Sequence, residues 1–224
     1  NRPAPDCRRG NQVGRLAMSF TRALVTGSSG FIGRALCTRL ALEGVEVVTA
    51  DIDSGIDVTN RNAVSSLTRR STPDVIFHLS AITTPSHAKT DPYTCYATNV
   101  IGTLNIVNEA PKTCRVIVAG TYLPPTEHYS ASKECAAIIA DRYGATVFQH
   151  SNVYGPGDLN STRLIPGTIQ RLLKNERPVI HNDSTRAFIY IDDLIDNYLM
   201  LVLAPPCRFS LIGPYWKTSE IVQK

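Results

Sequence analysis

Tyr129 and Lys133 stand four residues apart in Tyr129-Ser130-Ala131-Ser132-Lys133, a spacing that puts both side chains on one face of a helix. An ammonium beside a phenol favours the phenolate and brings the phenol below its ordinary pKa of about 10. A phenol so poised can take a proton from a hydroxyl as the carbon bearing it is oxidised. Alone, such a pair is more often a surface feature of a helix, so the chemistry depends on what the chain sets beside it.

The stretch Gly27-Ser28-Ser29-Gly30-Phe31-Ile32-Gly33 supplies that setting. It follows an apolar run over 22–26 and opens the segment 31–42, which reads as a helix. A strand, a glycine turn and a helix in that order make a phosphate cradle. The glycines let backbone N–H groups approach a pyrophosphate, and the helix N-terminus adds partial positive charge. The spacing is G-x-x-G-x-x-G, not the G-x-G-x-x-G of many dehydrogenases. The next strand pattern, 46–50, leads to Asp51. That is about 20 residues past the turn, where a dinucleotide fold places the carboxylate that binds the adenosine ribose. A carboxylate there repels a 2′-phosphate, so NAD is expected over NADP. Asp53 competes for the same role. With NAD in place, Tyr129 becomes the base that takes a sugar hydroxyl proton while hydride leaves for nicotinamide.

The elements that must position these residues alternate from Arg22 to about Gly155. Strands over 23–26, 46–50, 74–79 and 115–119 precede helices over 31–42, 61–70, 93–110 and 129–143, and a further strand covers 146–151. Short, almost wholly apolar strands belong to a parallel sheet covered on both faces. The expected fold is therefore α/β, a doubly wound parallel sheet of the Rossmann type, with ligands at the carboxyl ends of its strands. Beyond Gly155 the pattern loosens into a helix over 165–175, a strand-like 178–180 and a helix over 194–203. The chain divides into a leader or tag over 1–17, an NAD-binding domain over 18–155 and a small, truncated C-terminal substrate lobe over 156–224.

Taken together the motifs resemble the extended short-chain dehydrogenase/reductase family, the NAD-dependent nucleotide-sugar epimerases and dehydratases, from about Arg22 onward. Ile56-Asp57-Val58 resembles the adenine-contacting segment, and Val75-Ile76-Phe77-His78-Leu79-Ser80-Ala81 the strand and turn beside the cofactor. Asn99-Val100-Ile101-Gly102-Thr103 resembles the central-helix signature, and Asn152-Val153-Tyr154-Gly155-Pro156-Gly157 the strand end leading to the sugar nucleotide. Arg186-Ala187-Phe188-Ile189-Tyr190-Ile191-Asp192-Asp193 resembles the box whose arginine holds substrate phosphate. The segments 155–160, 163–169 and 176–180 are similar to the subgroup that includes CDP-glucose 4,6-dehydratase.

The resemblance implies a cofactor site of Gly27, Ser29, Gly30, Phe31, Ile32, Gly33, Asp51, Asp57, Val58, Leu79, Ser80, Ala81, Asn99, Tyr129, Lys133 and His150. It implies Thr121, Tyr129 and Lys133 as catalytic residues, and Thr83, Asn152, Leu164 and Arg186 around a nucleotide-diphosphate sugar. The expected reaction begins with oxidation at C4 of a nucleotide-linked hexose. Whether epimerisation or dehydration follows stays open. Dehydratases of the family follow the active-site threonine with acid–base residues, whereas this chain has Tyr122 and Leu123, and only 122–128 before the tyrosine. Glu127 is the carboxylate left as a stand-in, and Gln149 replaces a usual arginine. These departures keep a second class in view, a catalytically impaired NAD-binding sensor or scaffold.

The composition excludes other classes. A formal net charge of +4 over 224 residues, with no dense basic block, does not point to nucleic acid. No apolar run is long enough to span a bilayer. Cys7, Cys37, Cys95, Cys114, Cys135 and Cys207 show no metal-like pairing, so no metal is expected. Most read as buried thiols of a reducing, cytoplasmic setting. His150 lies near the nicotinamide end, and His78 reads as a buried strand residue, with His87, His128 and His181 in loops. Relatives in the family pair through the helices expected over 93–110 and 129–143, so a homodimer is an open alternative.

Overall fold

The short apolar runs form the strands and the amphipathic stretches between them the helices of this computed structural model, which describes residues 19–180 and 182–222. The expected leader over 1–17, Cys7 and His181 lie outside the described residues. The order is β1 (Arg22–Thr26), α1 (Phe31–Leu42), β2 (Glu46–Ala50), a 3₁₀ turn (Ile52–Ser54), α2 (Arg61–Ser71) and β3 (Val75–His78). Next come α3 (Pro85–Thr90), α4 (Pro92–Tyr96), a π turn (Ala97–Ile101), α5 (Gly102–Glu109), β4 (Arg115–Thr121) and α6 (His128–Arg142). The chain finishes with β5 (Thr146–His150), β6 (Asn152–Tyr154), α7 (Leu164–Leu173), β7 (Thr185–Tyr190), α8 (Ile191–Leu203), β8 (Arg208–Leu211), β9 (Tyr215–Lys217) and α9 (Thr218–Val222).

Six strands form one sheet in the order β2-β1-β3-β4-β5-β8, and every pairing in it is parallel. The order reverses at β1, between β2 on one side and β3 on the other. In an open parallel sheet that reversal opens a crevice at the carboxyl ends of the strands. Here those ends are Thr26 and His78, directly paired. The chain leaves this sheet at the buried Ser151 and starts a three-stranded sheet, β6-β7-β9.

Helices cover both faces of the large sheet, as nearly continuous apolar strands require. Leu36 and Leu40 of α1 and Leu194 and Tyr198 of α8 pack on Phe77 and Phe148. The Tyr198 ring meets Phe148 edge-on at 4.6 Å between centroids. On the other face Val64, Leu67, Ile106, Ala137 and Ala140 pack on Leu24, Ile76 and Val118. Fully burying each large side chain stabilises the fold by about 1.5–3 kcal/mol.

Several expectations need correction. The helix expected over 93–110 is three pieces, because a π turn at Ala97–Ile101 widens it. Such bulges gather at functional sites, and this one turns Asn99 toward the loop after β3. Residues 178–180 form no strand: Pro178 has no N–H to give, and Val179 and Ile180 are 42% and 40% exposed. Strands β7, β8 and β9 were not legible, and β8 returns to pair with β5. Of the described cysteines, Cys95 is buried while Cys135 and Cys207 are exposed. Among the described residues no helix is long and apolar enough to cross a membrane, and no cluster of His, Cys, Asp and Glu could hold a metal.

Candidate active site

The turn after β1 depends on two glycines. Gly27 has φ +68°, and a Cβ there would stand 2.7 Å from the Ser80 nitrogen. A Cβ on Gly33 would stand 2.1 Å from the Gly27 carbonyl oxygen. The turn therefore presses against the loop after β3 on one side and folds over the first turn of α1 on the other. Gly30 is the N-cap of α1 and offers no side-chain cap, so the first N–H groups of the helix stay open to a ligand. Asn60, by contrast, caps α2 by accepting from the Ala63 N–H at 3.1 Å. At the end of β2 the Asp51 carboxylate accepts the Ser29 N–H at 3.0 Å, and the Ser29 hydroxyl reaches Asp53 at 3.3 Å.

A cavity of about 710 Å³ runs from this turn along the strand ends. Gly27, Ser29, Gly30, Phe31, Ile32, Gly33, Asp51, Asp57 and Val58 line one end, and Leu79, Ser80, Ala81 and Thr83 the middle. Tyr129, Lys133 and His150 line the other end. Its size lies in the range of cofactor pockets. The open helix terminus, the glycine turn and the Asp51 carboxylate together fit a dinucleotide. Asn99 is buried behind the wall: its side chain accepts the Ile82 N–H at 2.8 Å and donates to the Ile82 carbonyl at 3.1 Å and the Ser132 hydroxyl at 2.8 Å. It thereby fixes the loop after β3 against α6. His78 is buried too, bonded to the Thr26 hydroxyl at 2.7 Å and the Thr103 hydroxyl at 3.1 Å. Burial, with the Lys133 charge, lowers its pKa to about 3, so it is a neutral packing residue.

At the reactive end, β4 delivers the buried Thr121, which lies close enough to Tyr129 to affect its proton affinity and whose hydroxyl accepts the Leu123 N–H at 3.3 Å. Lys133 follows one helical turn on and is 5% exposed. Burial lowers its pKa from 10.5 to about 8, against a smaller opposing effect of Cys95. The phenol corrects an expectation. Burial raises the Tyr129 pKa, with Thr121 and the Arg163 guanidinium opposing. Desolvation of the phenolate outweighs nearby positive charge. Burial likewise lowers His150 to about 4, and its Nδ1 bonds the Ser151 carbonyl at 3.0 Å.

Three substrate candidates stand outside this cavity. Arg186 is exposed on β7, where its Nε donates to the Ser184 hydroxyl at 3.0 Å. Asn152 donates to the Ala187 carbonyl at 3.0 Å. Leu164 opens α7. Tyr122 lies beside Asn152, Ala187 and Arg186, so the residue in the acid position faces the small sheet. Glu127 is the N-cap of α6, where its N–H donates to the Ser130 hydroxyl at 3.3 Å and its carbonyl accepts from that hydroxyl at 3.2 Å.

The residue most clearly missed is Arg163. It is the N-cap of α7, pairs with Asp158 at 3.3 Å and lines the cavity near Tyr129. Its signal was a cation directly before the apolar start of a helix. Tyr93, Thr94, Ala97 and Thr98 also line the cavity. Their i,i+4 spacing, continuous with Asn99, could have marked them.

A family model described as "NAD dependent epimerase/dehydratase family" matches residues 23–207. The chain is 31% identical over 209 residues to GDP-6-deoxy-D-talose 4-dehydrogenase of Aggregatibacter actinomycetemcomitans, covering 81% of this chain and 70% of that protein. It is 25% identical over 226 residues to UDP-glucuronic acid decarboxylase 1 of Xenopus tropicalis, covering 81% of this chain and 53% of that protein. Several curated relatives are matched over about half their length. The crystal structure of UDP-glucose 4-epimerase from Thermus thermophilus in complex with NAD superposes with a TM-score of 0.78 at 20% identity, over 91% of this chain and 81% of that one, a likeness of fold.

Proposed function

The chain belongs to the NAD dependent epimerase/dehydratase family, and from that premise we propose that it oxidises C4 of a nucleotide-linked hexose, with NAD as the cofactor. The observation that carries the reading is the placement of Tyr129 and Lys133 together at the far end of the cavity that begins at the glycine turn, with Thr121 next to Tyr129. The name of the GDP-6-deoxy-D-talose 4-dehydrogenase relative supports C4 as the position.

In this reading Thr121 holds the sugar hydroxyl and Tyr129 takes its proton. Bound NAD supplies the hydride acceptor and a positively charged ring at that end of the cavity. Lys133 keeps the proton acceptor in a cationic field, and Arg163 adds a second positive charge. Asp51 holds the adenosine ribose. Asn152 and Arg186, gathered around Tyr122, receive the substrate phosphates, with Thr83 and Leu164 beside the sugar nucleotide. The division into 18–155 for NAD and 156–224 for substrate is part of the proposal, with α8 and β8 of the second span lending support to the large sheet. Pairing of two copies through α5 and α6 is part of it too; Ile138 on α6 is 51% exposed.

Glu127 stands at the N-cap of α6 and Tyr122 beside Asn152, and neither lines the cavity, so this reading places no acid for elimination among the described residues at the reactive end. The test is incubation with NAD and a panel of UDP-, GDP-, CDP- and dTDP-hexoses, followed by NMR of the products. A 4-keto sugar or a C4 epimer from one of them is expected. No change in any of them would return the chain to the class of NAD-binding sensors.

A further inference from the structure

Arg34 lies on the exposed side of α1, one residue past Gly33. Its guanidinium donates one hydrogen bond to the Ser29 carbonyl, inside the phosphate-binding turn, and another at 3.0 Å to the Gly157 carbonyl, 123 residues away. Gly157 has φ +89°, a conformation that favours glycine. The next residue, Asp158, has a side chain only 4% exposed and pairs with Arg163 at 3.3 Å. It also accepts the Asn160 N–H at 3.2 Å, and the Arg163 N–H donates to the Asn160 carbonyl at 3.0 Å. These bonds close on the segment itself. Five residues thus separate Gly157, which Arg34 holds, from the cation that lines the cavity beside Tyr129. Packing between α1 and the segment is incomplete, for a cavity of about 300 Å³ lies between Phe31, Ala35 and Thr38 on one side and Pro156 and Gly157 on the other.

We propose that Arg34 is a positioning residue coupling the phosphate-binding turn to the segment 157–163. Seating a dinucleotide on the turn then fixes Arg163 at the reactive end. A planar guanidinium spanning two carbonyls fixes their separation as well as bonding each of them. When a dinucleotide orders the turn, the Ser29 carbonyl stops moving and the guanidinium passes that order to Gly157. The coupling is reciprocal: a nucleotide whose binding orders 157–163 must tighten the dinucleotide by the same factor. The inference rests on the NAD and nucleotide-sugar reading of the cavity.

The test is amide hydrogen exchange of the whole chain with and without saturating NAD, comparing wild type with Arg34→Met and Arg34→Lys. In wild type NAD should slow exchange in both 28–33 and 157–163. Arg34→Met should keep the first protection and lose the second by about fivefold or more, the lower end of measured couplings between sites. Arg34→Lys, which can serve one carbonyl at a time, should fall between. The coupling is overturned if NAD leaves 157–163 unchanged in wild type, or if Arg34→Met retains that protection. It is also overturned if Arg34→Met abolishes protection of 28–33 at saturating NAD, which would make Arg34 part of the cofactor site itself. In parallel, UDP, GDP, CDP and dTDP are each titrated with and without NAD. The nucleotide that binds should bind about fivefold tighter with NAD in wild type and less than twofold tighter in Arg34→Met. Binding of none of the four would defeat the nucleotide-sugar reading, while the exchange data would still decide the Arg34 contact.

Discussion

Replacing Lys133 by methionine should make the protein more stable while destroying its turnover. The lysine is 5% exposed, and burial holds its pKa near 8 instead of 10.5. At about 1.36 kcal/mol for each tenfold change in proton affinity, that burial destabilises the charged folded state by about 3 kcal/mol. Below pH 8 the lysine is charged in both folded and unfolded chains, and the whole penalty is present. Between pH 8 and 10.5 the folded lysine is neutral while the unfolded one still holds its proton, so stability rises with pH. Lys133→Met keeps the length of the stem without the charge. Urea unfolding at pH 7 should show a gain of about 2–3 kcal/mol, or roughly 4–12 °C in Tm for a domain of this size. At pH 10 most of the gain should be gone, because the wild type has shed the charge. A variant less stable than wild type at pH 7 would refute the reasoning. So would a gain of the same size at pH 7 and pH 10.

Other outcomes follow from the same geometry. Asp51→Ala should narrow the preference for NAD over NADP by about tenfold, or about 1.4 kcal/mol, read by calorimetry with each dinucleotide; equal affinities in wild type would remove the ribose role of this strand end. Gly27→Ala puts a Cβ 2.7 Å from the Ser80 nitrogen at φ +68°. It should lower stability by about 1–3 kcal/mol and weaken NAD, as seen by melting and calorimetry. Glu127→Ala should change stability by less than about 1 kcal/mol, because its cap contacts are made by the backbone, and keep the turnover of the folded enzyme; a collapse of turnover without loss of stability would make Glu127 an acid after all.

The legible part of the molecule was the part where local pattern and tertiary role agree. Helix α1 and strand β2 match the expected bounds to the residue, because a glycine turn and Gly44 punctuate them on either side. The glycine turn, Asp51, Tyr129 and Lys133 do share one cavity. Illegible parts depended on long-range partners. The three residues of β9 are a strand only because β7 lies beside them. The π turn at Ala97–Ile101 follows from bonds between Asn99 and Ile82, seventeen residues apart in sequence. The sign of the Tyr129 shift was misjudged because spacing shows who is near but not how dry the site is. Arg163 was hidden because its role depends on Asp158 and on a loop that sequence pattern left shapeless.

The central claim is hydride removal from C4 by a site in which Tyr129 takes the proton. The direct measurement is transfer of deuterium from a C4-deuterated nucleotide hexose to nicotinamide, followed by mass spectrometry of the cofactor after a rapid acid quench. Wild type should yield deuterated reduced cofactor in a single turnover. Tyr129→Phe, which keeps the ring and removes the proton acceptor, should bind NAD as tightly as wild type and yield none. Deuterium that stays on the sugar in wild type, or that reaches the cofactor in Tyr129→Phe at the wild-type rate, would contradict the account.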